Sequence, residues 1–157
     1  MLPKKVFFTK GVGRHEDKLV SFELALRDAG IEKYNLVLVS SIFPPGCEIV
    51  EPSQGIKELS PGQIVYCVMA KKTSNEAGKD VFASIGVALP NDKSLNGYLT
   101  EYYGYLTDED PGRHAEEMAS YMLKTAYGIE PEKTFNVTVK AKVEKFTTVV
   151  AAAVFII

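Results

Sequence analysis

The chain has 157 residues, a length that fits one domain, residues 1–157, with a core of its own. Hydrophobic residues make up 46% and the net charge is −2, with no basic stripe of the kind that binds nucleic acid. Cys47 and Cys67 lack metal-binding spacing, and they are predicted to be reduced thiols of a cytoplasmic protein. The N-terminal apolar run is too short for a signal peptide, and residues 149–157 are too few to span a membrane.

The N-terminal part of the chain predicts strands, a loop and one long helix. Residues 5–9 are predicted as a strand, and residues 10–14 as a plain turn, because their two glycines lack a complete phosphate-binding motif. Apolar residues at helical spacing predict a helix over residues 16–29, ended by Gly30. Further predicted elements are strands at 35–39 and 48–50 and a helical segment at 52–59.

The rest of the chain predicts long strands and a second helix. Regular alternation of apolar and polar residues over 135–144 is typical of a strand with one buried face. An amphipathic stripe predicts a helix over 110–127, capped by Thr107 or Asp108. Strands are also predicted at residues 63–72, 81–89, 97–106 and 147–157. About seven mostly consecutive strands with two main helices predict an α+β fold with antiparallel sheets.

Two adjacent serines, Ser40 and Ser41, end an apolar strand just before Ile-Phe-Pro-Pro-Gly forces a change of direction. A serine hydroxyl can attack the carbonyl carbon of the peptide bond before it and form an ester. Elimination then leaves a pyruvoyl group, a built-in electrophile, at the new N-terminus. The simpler interpretation of an isolated serine pair is a strand end whose hydroxyls bond to nearby backbone.

The segment around these serines resembles the self-cleavage site of the pyruvoyl-dependent arginine decarboxylases. The resemblance rests on an ordered set of segments that spans most of the chain. These are residues 34–37, 40–41, 44–47, 59–63, 83–86, 97–101 and 147–155. The resemblance implies a β-sandwich flanked by helices, in αββα layers, and a homotrimer with active sites between subunits.

The resemblance also implies a chemistry. Cleavage between Ser40 and Ser41 would give fragments 1–40 and 41–157, with the covalent pyruvoyl cofactor derived from Ser41 at the start of the larger one. This ketone would form a Schiff base with L-arginine and accept electrons as carbon dioxide leaves, and hydrolysis would release agmatine. No metal is implied. His15 and His114 lack paired ligand spacing and are predicted as surface helix residues.

Asn35 and Glu101 match catalytic positions of the family. An asparagine amide can donate to an oxyanion, and alternation places Asn35 on the same strand face as Val37 and Val39; otherwise it caps the start of the strand. Glu101 would protonate the substrate α-carbon. Its predicted face also holds Leu99, Tyr103 and Tyr105, which would bury it and keep a proton available. The alternative for Glu101 is a solvated acid on an edge strand.

Glu23 matches the acid that binds the substrate guanidinium, because a carboxylate and a guanidinium form a bidentate pair. The family usually has the shorter aspartate there, and the alternative is a charge at the border of a helix. Three other functions stay open. They are pyruvoyl-dependent decarboxylation of another amino acid such as histidine or ornithine, an uncleaved non-catalytic oligomeric domain, and a hydrolase with Ser41 as nucleophile.

Overall fold

The computed structural model describes residues 1–157. The elements in chain order are β1 (Lys5–His15), α1 (Lys18–Ala29), β2 (Asn35–Leu38), β3 (Ile42–Phe43), β4 (Glu48–Ile49), α2 (Pro52–Gly55), a 3-10 turn (Ile56–Glu58), β5 (Ile64–Ser74), β6 (Asp80–Leu89), β7 (Gly97–Tyr105), α3 (Pro111–Tyr127), β8 (Lys133–Lys142) and β9 (Phe146–Ile156). None of the helices combines the length and the apolar character needed to cross a membrane.

The nine strands form two sheets that pack face to face. Sheet one has the order β2-β5-β9-β1-β4 and sheet two the order β3-β7-β6-β8. The pairs β1–β4 and β2–β5 are parallel, and all the others are antiparallel. Helix α1 covers the outer face of sheet one and α3 covers that of sheet two. The predicted α+β class and its αββα layers are confirmed.

β9 and β6 are almost completely buried because each lies inside a sheet that is covered on both faces. Successive side chains of a strand point to opposite faces. Val149 therefore packs in the core between the sheets, whereas its neighbour Val150 packs under α1. The continuous apolar run at the end of the sequence is that of a strand with two buried faces.

The predicted turn over residues 10–14 is wrong, because β1 continues through them to His15. Gly11 and Gly13 are in this strand so that α1 can approach it closely. A Cβ on Gly11 would lie 2.2 Å from the Ala25 carbonyl oxygen, and one on Gly13 would lie 2.1 Å from that of Ser21. Glycine within a strand often marks such an approach. The prediction that His15 lies on a helix is wrong for the same reason.

Aspartate side chains begin both long helices. Asp17 accepts hydrogen bonds from the main-chain N–H groups of Leu19 and Val20, at 2.9 and 3.2 Å. Asp110 caps α3 in the same way, so the predicted caps, Thr107 and Asp108, are wrong. Pro follows Asp110 directly, and its fixed φ suits the first helical position, which places the start of α3 there.

Candidate active site

The chain crosses from sheet one to sheet two at the predicted cleavage site. β2 ends at Leu38 in sheet one, and β3 begins at Ile42 in sheet two. Before the serine pair, Val39 N–H donates to the carbonyl oxygen of Cys67 at 3.0 Å. After it, the Ser41 carbonyl oxygen accepts from Leu99 N–H at 2.9 Å. One hydrogen bond to each sheet therefore holds the Ser40–Ser41 peptide bond in place.

Ser41 and Glu101 are in direct contact at this crossing. The Ser41 Oγ–H donates to a carboxylate oxygen of Glu101. The contact forms because β3 pairs with β7, with Ile42 opposite Tyr98, which brings the crossing beside the strand that holds Glu101. A hydroxyl that donates to a carboxylate has the arrangement of a nucleophile with its base.

A cavity of about 670 Å³ opens beside this pair. The serine crossing and β7 form one side of it, and α3 contributes Met118, Tyr121 and Met122. The charged residues that line it, Glu101 and Glu117, are both acidic. Two carboxylates around a partly apolar space favour a cationic ligand that has an apolar stem.

Glu101 is exposed in the single chain, and the prediction that its aromatic neighbours bury it is wrong there. Tyr103 is 55% exposed and Tyr105 36%. The reason is the shortness of β3, which pairs only with Gly97 and Tyr98. Beyond these two residues β7 is the free edge of sheet two.

A family model described as pyruvoyl-dependent arginine decarboxylase matches residues 5–157. The chain belongs to this family. It is 73% identical over 157 residues to "Pyruvoyl-dependent arginine decarboxylase 1" of Archaeoglobus fulgidus, with 100% of both chains covered. It is 57% identical to "Pyruvoyl-dependent arginine decarboxylase 2" of the same organism, covering 100% of this chain and 99% of the relative. The relative in Methanosarcina acetivorans is 52% identical, over 100% of this chain and 98% of its own.

Family membership confirms the resemblance inferred from the serine pair and its flanking segments. It identifies the chain as an enzyme with a covalently bound pyruvoyl cofactor. The residues at the crossing fit that group. Residue 41 is a serine, its hydroxyl contacts a carboxylate, and it borders the cavity described above.

Asn35 lies at the opposite end of β2 from the serine pair. Its side-chain Nδ2 donates to the carbonyl oxygen of Gly62 at 2.8 Å, and its main-chain N–H donates to that of Gln63, also at 2.8 Å. These bonds attach the start of β2 to the turn before β5. Within one chain the structure does not bring Asn35 to Ser41, so its oxyanion role stays a prediction.

Glu23 is on α1, outside sheet one, and forms an ion pair with Arg27 (Nε–Oε1 3.6 Å). A single chain does not place it in the Ser41 cavity, and its substrate role stays a prediction. Glu117, which the sequence interpretation missed, lines that cavity and pairs with Arg113 (Nε–Oε1 3.1 Å). Its position in the sequence could have identified it, because Glu117 borders the apolar stripe of α3 as Glu23 borders that of α1.

No histidine or cysteine side chain lines this cavity. No cluster of three or more His, Cys, Asp or Glu side chains is placed to hold a metal ion. His114 pairs with Glu109, with 2.7 Å between Nδ1 and Oε1. Both thiols are free, and burial raises the pKa of Cys47 to about 11 and that of Cys67 to about 12. Both are therefore protonated at neutral pH and poor nucleophiles.

Proposed function

We propose that the protein cleaves itself between Ser40 and Ser41 and then decarboxylates L-arginine to agmatine and carbon dioxide. The observation that carries the proposal is the hydrogen bond from the Ser41 hydroxyl to Glu101 at the mouth of an acidic cavity. The names of the relatives, all arginine decarboxylases, support the choice of substrate.

Self-cleavage begins with the Ser41–Glu101 pair. Glu101 accepts the proton of the Ser41 hydroxyl while Oγ attacks the carbonyl carbon of Ser40. The peptide C–N bond breaks, the nitrogen takes up a proton, and an ester joins the two residues. Elimination removes the α-hydrogen of residue 41 and breaks its Cβ–Oγ bond, which leaves a carboxylate on Ser40. Hydrolysis replaces the nitrogen of residue 41 by oxygen, consuming water and releasing ammonia.

Decarboxylation would use the same carboxyl group in a second role. The pyruvoyl ketone supplies the electron sink for the carboxylate that leaves. Glu101, no longer bound to a serine hydroxyl, faces the cavity and donates a proton to the substrate α-carbon. Met118 and Met122 contact the methylene stem, and Glu117 provides negative charge for the guanidinium. The cavity has no lining cation, which favours a substrate that keeps a positive charge at its far end.

A homotrimer is part of the proposal, and the apolar side chains that the single chain leaves uncovered along one edge of sheet one support association with other copies. Val37, Leu38 and Ile64, on the edge strand β2 and its neighbour β5, are 40%, 66% and 61% exposed. Exposed apolar edges favour association with another chain. A neighbouring subunit packed on this edge would bring Asn35 or Glu23 of one chain towards the cavity of another. We place the trimer in the cytoplasm, where its two free thiols would remain reduced.

Light scattering after size exclusion measures the assembly. We expect a homotrimer for the parent protein and a smaller species for Leu38→Lys, which puts a charge on the exposed edge. The exposed Glu130, which follows α3 and pairs with Lys124, offers a control substitution, Glu130→Lys, that should leave the mass of the assembly unchanged. A parent protein that is monomeric at micromolar concentration would contradict the assembly.

Intact mass spectrometry under denaturing conditions tests the cleavage. The expected products are fragments 1–40 and 41–157, the larger lighter by one ammonia than a fragment that starts with serine. Ser41→Ala removes the nucleophile and should stay whole, whereas Ser40→Ala keeps the attacked carbonyl and should still be cut. A single full-length mass after prolonged incubation would favour the alternative of an uncleaved, non-catalytic oligomeric domain.

An assay of the cleaved protein with arginine, ornithine, lysine and histidine tests the substrate. Agmatine as the main amine product supports arginine. A higher kcat/KM for another amino acid would keep the pyruvoyl chemistry and reject the assignment of arginine.

A further inference from the structure

The carbonyl oxygen of Ser40 already accepts a hydrogen bond in the uncut chain. Ile42 N–H donates to it across a distance of 3.0 Å. A bond from residue i+2 back to residue i closes a three-residue γ-turn, and Ser41 is at its apex. The acceptor is the oxygen on which negative charge develops when Ser41 Oγ attacks.

We propose that the main-chain amide of Ile42 is the oxyanion donor of self-cleavage. This inference rests on the proposed function and adds a catalytic group to it. It assigns within one chain the oxyanion role that was predicted for Asn35, whose side-chain amide instead donates to the Gly62 carbonyl oxygen. It also puts base and donor on opposite sides of the reacting bond, with Glu101 at the hydroxyl and Ile42 at the carbonyl oxygen.

This hydrogen bond would speed the attack because its acceptor, the Ser40 carbonyl oxygen, becomes negatively charged during the step. The Oγ–C bond forms, the hydroxyl proton passes to Glu101, and the electron pair of the Ser40 carbonyl moves to its oxygen. Hydrogen bonds to a charged acceptor are about twice as strong as those to a neutral one. The bond from Ile42 is therefore stronger in the tetrahedral state than in the uncut chain, and only such a difference speeds a reaction.

The donor is held in place before the reaction begins. Ile42 is in β3 and pairs with Tyr98 of β7. The adjacent bond from Leu99 N–H to the Ser41 carbonyl fixes the middle of the turn. Pairing with β7 therefore orients both main-chain groups around Ser41, and the donor needs no rearrangement when charge appears.

An amide-to-ester exchange at Ile42 tests the proposal. The α-hydroxy analogue of isoleucine, introduced by nonsense suppression, keeps the side chain and replaces N–H by oxygen. We expect self-cleavage to slow by about 10²-fold, the usual effect of removing one oxyanion donor. The same exchange at Leu95, whose N–H donates to Asp92 at 3.1 Å in a distant turn, is the matched control and should leave the rate unchanged. Fragment masses separate a cut after residue 40 from hydrolysis of the new ester after residue 41.

The outcomes distinguish failure of the Ile42 donor from failure of the proposed function. If the parent protein is cut and the Ile42 ester is cut equally fast, the amide is not the donor and the proposed function stands. If the parent protein is never cut, both fail. Hydrogen exchange in uncut Ser41→Ala gives a second readout that needs no ester. We expect a protected Ile42 amide although the residue is 41% exposed, and exchange at the unprotected rate would overturn the proposal.

Discussion

Gly86, in the middle of β6, has no space for a side chain because α3 packs directly against it. A Cβ there would lie 2.2 Å from the main-chain carbonyl group of Ala115 and 2.6 Å from Thr100 Oγ1. Ordinary van der Waals contact begins at 3.4 Å. Because the nearest atoms belong to backbone, no change of rotamer relieves the overlap, and Gly86→Ala must push α3 away from the sheet.

We expect Gly86→Ala to lower the free energy of unfolding by about 1–3 kcal/mol, the usual effect of overpacking a core. In a protein of this size each kcal/mol corresponds to about 2–4 °C in Tm. Thermal unfolding followed by circular dichroism, in the Ser41→Ala background so that the chain stays uncut, measures the change. Because α3 also lines the Ser41 cavity, the cleaved form of Gly86→Ala should have a raised KM for arginine.

The sign of the effect tests the reasoning. Where space allows, replacing a strand glycine by alanine stabilises by about 0.4–1 kcal/mol, since it restricts the unfolded chain. Ala88, two residues along the same face of β6, packs against Ala119 and Leu123 of α3. Ala88→Gly is the matched control and should destabilise by about 1 kcal/mol. A Tm for Gly86→Ala at or above that of its parent would refute the argument.

Four further predictions concern single side chains. Leu123→Ala leaves a cavity under α3, where Leu123 is fully buried, and should lower the free energy of unfolding in urea by about 2–5 kcal/mol. Asp110→Ala removes the cap of α3 and should lower it by about 0.5–2 kcal/mol. The pKa of Cys67 is about 12 in the folded chain, against about 8.5 unfolded. Its contribution to stability is therefore complete below pH 8.5 and is lost as the pH rises towards 12, so Cys67→Ala should flatten the alkaline decline of the urea midpoint. Glu117→Gln should raise the KM for arginine several-fold, by loss of a charged partner of the guanidinium, and Glu130→Gln, outside the cavity, should not; equal KM values would remove Glu117 from the site.

The elements that could be predicted from the sequence are those whose pattern is local. The amphipathic stripes located α1 and α3, and strict alternation located β8, because one buried face imposes its period on the residues. No local pattern indicated that Gly11 and Gly13 belong to a strand. Glycine is needed at these positions because the backbone of α1 packs closely against them, and this contact is set by the fold.

The same distinction between local patterns and contacts set by the fold applies to the candidate site. Ser41 and Glu101 could be selected as candidates because their flanking segments are characteristic, and the structure brings the two into contact. The exposure of Glu101 could not be predicted, since it depends on β3 being two residues long. The hydrogen bond of the Ile42 amide could not be predicted either, because every residue except proline has the same N–H group and only the fold determines its direction.

The interior position of β1 would affect the lifetime of an enzyme that is cut between Ser40 and Ser41. β1 lies between β9 and β4, which both follow the cleavage site, and pairs with β9 from Lys5 to His15. Fragment 1–40 would therefore stay bound without a covalent link, and releasing it would require opening sheet one. Unfolding of the cut protein would include dissociation of its two fragments, so its Tm would rise with protein concentration even without assembly into an oligomer. A cut molecule that unfolds in dilute solution loses its complementary fragment and must find another copy to refold.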